Sequence, residues 1–406
     1  MKIAIAGGGA AGFFAAITAA EMHVGSSVTI FEKGHVTLAK VRITGGGRCN
    51  LTNSCESLEE FVAAYPRGGR VMRRLLQEFG NKETIEWFES RGVPLVTQED
   101  GCLFPESQNS ESIIDCFHRE CYRLNIKIVT QAQVDGITPQ ASGSLLLTFD
   151  NPNLTPQTFD KVIVTTGGSP KRRGLEWLEK LGHKIEEPVP SLFSLNLPTD
   201  QITSLMGIVA ENTTVSLPGT KIKSQGALLI THWGFSGPAI LKLSSFGARV
   251  MKEKDYSFPV LVNWIDISNE DSVKEHIKDI IKTSPGKLLN SVRPFDLPSR
   301  LWNHLVLKCE FQSNVRWGDI GSKGVTKIAT ILTTDIYRVN GKSSYKDEFV
   351  TCGGISLDSV NIKTLQSKVV KNLYFAGELL DIDAITGGYN LQCAWTTGFV
   401  SGLLRD

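Results

Sequence analysis

Short β-branched apolar runs that end in glycine punctuate both ends of the chain. Lys2 to Ala6 (KIAIA) gives way to Gly7, Gly8 and Gly9, and the small apolar run Ala10 to Ala20 follows at once. The pattern predicts a strand, a tight glycine turn and a buried helix. Ser27 to Phe31 (SVTIF) is a second strand, ending at Glu32. Lys161 to Thr166 (KVIVTT) leads into Gly167 and Gly168, and Asn372 to Ala376 (NLYFA) leads into Gly377 and Glu378. After TGGYN, the apolar tail LQCAWTTGFVSGLL predicts a closing helix. The middle of the chain has a different texture. SLFSLNLP, NTTVSLPG, GALLITH and FPVLVNW alternate strands with turn signals, as a barrel would. DSVKEHIKDIIK and LPSRLWNHLVLKCEF are helical in pattern, and IATILTTDIYRVNG is expected to return as barrel strands.

Strand, G-x-G-x-x-G (Gly7, Gly9, Gly12), helix, strand and an acid twenty residues beyond Gly12 form the dinucleotide-binding arrangement. Gly7 makes the turn, Gly9 lets a pyrophosphate approach the backbone, and Gly12 lets the helix pack on the strand. Glu32 suits an unphosphorylated ribose, so FAD or NAD, and this motif alone does not choose between them. A second glycine-ended strand near residue 376 is what a long dinucleotide such as FAD requires, because its ribitol needs an acid at a second strand end.

Composition narrows the classes. The 406 residues allow two or three domains at about 150 residues each. Lys plus Arg (43) nearly balances Asp plus Glu (42), and a net charge of +1 argues against bulk nucleic-acid binding. Eight cysteines without a CxxC pair, and no HExxH, predict reduced cytoplasmic thiols and no metal site. No apolar run is long enough for a membrane span.

The segments EKGHVTLAKVRITGGGRCNLTN, TTGGSP, THWGFSGPAI, TCGGIS and LYFAGELLDIDAITGGYNLQCAWTTG resemble the HI-type (YhiN/BaiN-like) family of bacterial FAD-dependent oxidoreductases. The resemblance implies an α/β fold: a glutathione-reductase-like FAD-binding Rossmann domain with an inserted β-barrel domain and a small helical domain. The corresponding ranges are 1–189 and 348–406 for FAD binding, 190–267 and 325–347 for the barrel, and 268–324 for the helices. It also implies that FAD is lined by Gly7, Gly9, Ala10, Ala11, Gly12, Glu32, Lys33, Lys40, Gly46, Arg48, Cys49, Asn50, Val134, Thr166, Gly167, Gly377, Glu378, Gly388, Tyr389, Asn390 and Leu391. Arg48 would meet phosphate or the flavin's carbonyl edge, Asn50 would hydrogen-bond the cofactor, and Asp381 and Asp383 would only cap a turn. The closing helix would point its N-terminus at the edge where reduction deposits negative charge, an effect of roughly 0.3–2 kcal/mol. At about 30 mV per 1.4 kcal/mol, that raises the flavin potential by tens of millivolts.

Members of the family are linked to reduction of unsaturated oxo compounds and to oxidation of amines, with NAD(P)H as a transient donor, and the residues do not choose between these. Two other classes stay open: a flavin-containing RNA-associated or redox-sensing protein using the clusters Arg67, Arg70, Arg73, Arg74 and Lys171, Arg172, Arg173, and a thiol reductase using Cys49 and Cys55. Charge runs are usually solvated faces. Five residues separate the two cysteines where disulfide reductases keep four, so Cys49 is expected to be a packed thiol.

Overall fold

The computed structural model describes residues 1–343 and 350–406 and divides into two compact units, Met1–Pro190 with Val350–Asp406, and Ser191–Phe349. The boundary expected at 347/348 lies outside the described residues.

The first unit is built on a parallel sheet of β1 (Lys2–Ala6), β2 (Ser27–Phe31), β3 (Lys127–Val129), β4 (Lys161–Val164) and β5 (Leu373–Phe375). Its order is β3-β2-β1-β4-β5, the doubly wound arrangement with a switch point between β1 and β4. Alternation along the strands explains why these runs are apolar throughout. Ala4, Ala6, Val162, Val164 and Phe375 enter one core, and Ile3, Ile5, Ile30, Ile163 and Tyr374 enter the other. A sheet buried on both faces has no solvent side on which to place polar residues.

On the second of these faces lie helix α1 (Ala10–Met22) and the closing helix α2 (Tyr389–Gly402), which pack against each other through small residues. A Cβ at Gly398 would stand 2.7 Å from the carbonyl oxygen of Ala11, and one at Gly402 would stand 2.7 Å from that of Ala15. Both contacts advance together along the two chains, so the helices run parallel. Gly398 is the tenth residue of α2 and Ala11 the second of α1, an offset that carries the start of α2 roughly 12 Å beyond the start of α1.

In the second unit, six antiparallel strands follow the order Leu195–Asn196, Gly234–Ser236, Lys223–Ile230, Val209–Ser216, Ser257–Asn263 and Asp335–Asn340. Asn196 N–H bonds the carbonyl of Gly341 at 3.1 Å and Leu195 bridges Lys342, which closes the sheet on itself. Helices Glu270–Thr283, Ser299–Lys308 and Gly321–Thr333 share its core. The last of these corrects the expectation for IATILT, which is helical. Its buried positions Val325, Ile328, Ala329 and Leu332 recur at three- and four-residue spacing, a signal that the β-branched composition masked.

Candidate cofactor-binding site

All four strand ends that the sequence singled out reach the carboxyl edge of the parallel sheet. Gly7 follows β1, Glu32 follows β2, Thr165 to Gly167 follow β4, and Gly377 and Glu378 follow β5. The three motif glycines differ in what they answer to. A Cβ on Gly7 would lie 2.4 Å from the carbonyl oxygen of Thr165, and one on Gly12 would lie 2.0 Å from that of Gly7. Gly7 also has φ +122°. Close packing of the protein itself therefore demands glycine at both. Gly9 has φ −94° and no protein atom within 4 Å of a Cβ, so neither strain nor packing explains it. The open space beside it is where a pyrophosphate lying against the backbone would need glycine.

Both helix starts that face this edge suit an anion. Gly9 and Gly388 are the N-caps of α1 and α2, neither supplies a side-chain cap, and neither first turn carries an acid. The backbone donors of two parallel helices, offset along their common direction, would offer an extended dianion and a second electron-rich group one donor set each.

The two acids sit where the strands place them and are already hydrogen-bonded. Glu32 accepts from the N–H of Gly8 at 2.8 Å and of Gly34 at 2.7 Å, one on each oxygen, and so ties the two turns together. Each oxygen keeps a second acceptor position for a hydroxyl. Glu378 accepts from Thr351 N–H at 2.8 Å and pairs with Lys40 at 2.8 Å, which joins two residues that the resemblance assigns to one site. Lys33 and Thr166 are exposed, and Val134 is buried at the start of its strand, two residues beyond Ala132, whose N–H bonds the Glu32 carbonyl.

The segment GGGRCN is a left-handed loop, with φ of +60°, +68° and +82° at Gly45, Gly46 and Gly47 and +64° at Cys49. Gly46 is exposed, with no protein atom within 4 Å of a Cβ. Arg48 does not point away as a free cation. Its guanidinium lies 4.3 Å from the centre of the Phe104 ring, and it donates to the Gly45 carbonyl at 3.2 Å and to Gln108 at 3.4 Å. Asn50 also works within the protein: in the amide orientation that gives both of its polar atoms partners, it donates to the Thr52 carbonyl at 3.2 Å and accepts from Gly388 N–H at 3.3 Å. It thereby fixes the start of α2.

Asn390 is used in the same way, holding the N–H and carbonyl of Ala384 at 3.0 Å each. Tyr389 packs its ring edge-on against Phe61, and Leu391 packs against the core shared with α1.

The thiols do not make a redox pair. Cys49 is fully buried among apolar side chains, and that burial raises its thiol far above the ordinary range. Any contact it makes with a ligand comes from its backbone. Cys55 is partly exposed, but burial and the charge of Glu60 raise it as well. All eight cysteines are free.

Several residues escaped the sequence reading. Asp383, expected as a turn cap, is a fully buried carboxylate gripped by both arms of Arg67. Arg73 pairs with Glu59, and Arg172 pairs with Glu179 and Glu187, so with Arg67 three of the seven cluster cations are engaged by carboxylates, while Arg70, Arg74, Lys171 and Arg173 are exposed. Gln392, also fully buried, accepts from Thr52 at 2.6 Å and donates to Thr84 and Thr396, stitching α2 to the chain beneath it. The short polar residues carried no periodic signal that would have marked them.

Comparison with known proteins agrees with this architecture. The family signature described as HI0933-like protein Rossmann domain matches residues 1–404. A 3-dehydro-bile acid delta(4,6)-reductase of Clostridium scindens is 26% identical, over 99% of this chain and 98% of its own. A ribosomal RNA dihydrouridine synthase of Haemophilus influenzae is 28% identical, over 98% and 97%. Among solved structures, the open conformation of a flavocytochrome c3 fumarate reductase superposes with a TM-score of 0.51 at 13% identity, covering 99% of this chain and 77% of that one. The 3-ketosteroid-delta4-(5alpha)-dehydrogenase of Rhodococcus jostii gives 0.51 at 12% identity, over 98% and 96%. These two likenesses are of fold. Among the described residues no helix is long and apolar enough to cross a membrane.

Proposed function

This chain belongs to the HI0933-like family, and from that premise we propose that it is an FAD-dependent oxidoreductase that saturates a carbon–carbon double bond conjugated to a carbonyl. One observation carries the cofactor assignment: two parallel helix starts without side-chain caps, offset by roughly 12 Å along their common direction, with the strand ends that carry Glu32 and Glu378 both adjoining the start of α1. FAD, when bound, supplies the hydride chemistry.

The chain's part is to hold and orient the cofactor. Gly7, Gly9, Ala10, Ala11 and Gly12 form the pyrophosphate turn. Glu32, with Lys33 and Val134 nearby, takes the adenosine. Lys40, Gly46, Arg48, Cys49 and Asn50 wall the site, the last three mainly through backbone or through each other's placement. Thr166, Gly167, Gly377 and Glu378 receive the ribitol. Gly388, Tyr389, Asn390 and Leu391 bring the positive end of α2 to the pyrimidine edge, where it favours the reduced, negatively charged flavin.

The relatives' names support the substrate class. A delta(4,6)-reductase of a 3-dehydro bile acid reduces double bonds conjugated to a ring carbonyl. A dihydrouridine synthase saturates the uracil double bond, which is conjugated to the C4 carbonyl. The bond reduced is of one type, and what differs is the molecule that carries it. We take a small molecule as the substrate because the net charge is only +1 and Arg67, Arg73 and Arg172 are engaged by carboxylates. The two relatives named for ribosomal RNA make a uridine within RNA the second reading. A nicotinamide dinucleotide as transient donor, and a reducing cytoplasmic setting suited to eight free thiols, belong to the same proposal.

The experiment has two arms. Purified protein, reduced anaerobically by NADH or NADPH, is offered 3-oxo steroids with conjugated double bonds, and saturated product is sought by mass spectrometry. In parallel, ribosomal RNA from cells lacking the gene is digested and assayed for loss of dihydrouridine. Product in the first arm supports the small-molecule reading. Loss of dihydrouridine in the second, with no steroid product, replaces it with the RNA reading.

A further inference from the structure

The segment that delivers the start of α2 is fastened to a turn near residue 67. Arg67 and Asp383 face each other in an antiparallel bridge, and their side chains form a two-pronged ion pair. The Asp383 side chain is wholly buried and that of Arg67 is 12% exposed. Around them, Tyr65 donates its hydroxyl to the Tyr389 carbonyl at 2.8 Å, and Ile385 N–H bonds the Ala64 carbonyl at 2.9 Å. Gly68 lies so close that a Cβ there would stand 2.5 Å from the Ile382 side chain. Asp383 adjoins Ala384, whose backbone is clamped by Asn390 in the first turn of α2.

Charge is cancelled in pairs at this helix end. Lys40 neutralises Glu378, and Arg67 neutralises Asp383. Cys393, in the next turn of α2, is pushed up to about 12, by burial first and then by the charges of Asp383 and Glu378, which places both carboxylates near that turn. Stability alone does not account for a desolvated pair, because the cost of removing both ions from water offsets much of their attraction.

We propose that Arg67 and Asp383 are positioning residues for the cofactor's pyrimidine edge: they pin the start of α2 and cancel each other's charge beside it. This rests on the reading of FAD along α1 and α2 given above. Asp383→Asn removes one negative charge where two-electron reduction places another, so the bound flavin's midpoint potential rises. Arg67→Gln removes one positive charge from the same place, and the potential falls. Arg67→Lys keeps the charge without the two-pronged geometry, so its potential stays near that of the wild type while FAD is held less tightly.

Potentiometric titration of the flavin-loaded wild type and the three variants, with FAD dissociation constants measured alongside, tests the proposal. An upward shift in Asp383→Asn, together with an unmoved potential in Arg67→Lys, supports it. If Arg67→Gln fails to fold because a buried carboxylate has lost its two-pronged ion pair, the other two variants still decide. A flavin-loaded Asp383→Asn protein whose potential is unmoved or lowered overturns the proposal alone. A wild type that retains no FAD overturns the cofactor reading and the proposal with it.

Discussion

Gly9 and Gly12 are three residues apart and answer to different forces, which makes them separable by mutation. Gly12→Ala drives a methyl group into the Gly7 carbonyl, 2.0 Å away, and is expected to cost several kcal/mol and prevent a stable fold. Gly9→Ala meets no protein atom and is expected to lower the stability of the cofactor-free protein by only about 1 kcal/mol, the cost of alanine at an N-cap. Its effect falls on the ligand, with FAD binding weakened about tenfold or more. Thermal unfolding of the apoproteins and fluorescence titration with FAD distinguish the two, and an unaltered FAD affinity in Gly9→Ala would remove the pyrophosphate from this turn. Glu32→Ala is expected to weaken FAD by about one to three orders of magnitude through lost charge-assisted bonds. The hydrogen bonds to Gly8 and Gly34 add an effect the sequence did not reveal: this variant also loses thermal stability without cofactor. At Cys49, burial predicts that alkylating reagents leave the native thiol unmodified while Cys55 reacts, and that Cys49→Ser and Cys55→Ser keep flavin reduction. Mass spectrometry of the native protein showing Cys49 modified as fast as Cys55 would reopen thiol chemistry.

At the scale of elements, the start of α2 is held by amide side chains and not by a conventional cap. Asn390 closes the 384–390 loop and Asn50 takes the Gly388 N–H. Asn390→Ala removes bonds from a half-buried loop and is expected to cost about 1–3 kcal/mol. Hydrogen exchange should quicken across 384–390 and FAD should dissociate faster, whereas unchanged exchange there would mean that the loop is held by its packing alone. Strands and motif glycines of the parallel sheet were legible in the sequence because a doubly buried strand is apolar throughout and a nucleotide turn needs glycine at fixed spacing. IATILT was misread because its β-branched residues outweighed the spacing of Val325, Ile328, Ala329 and Leu332 in the expectation, whereas in the fold the spacing decides. The bonds that Asn50, Asn390 and Arg48 make within the protein were not legible for another reason. A polar side chain in a glycine-rich segment can serve the ligand or the loop that shapes the site, and only the fold shows which.

For the molecule as a whole, the pairing of Arg67 with Asp383 shows what no one-dimensional reading reaches. The two residues are 316 positions apart, and neither spacing nor composition links them. What was legible at this scale was the return of the chain: a nucleotide-type strand end near residue 376 implied a long cofactor, and β5 does complete the sheet begun by β1. The central claim, an FAD enzyme that reduces double bonds conjugated to a carbonyl, is tested most directly by anaerobic reoxidation. Flavin-loaded protein is reduced with one equivalent of dithionite and mixed, without oxygen, with conjugated 3-oxo steroids, a uridine-containing ribosomal RNA fragment and a disulfide, while the yellow flavin band is followed. The account predicts that a conjugated carbonyl compound restores the band and yields one saturated product per flavin. Reoxidation by the disulfide alone, with every conjugated carbonyl inert, would contradict it.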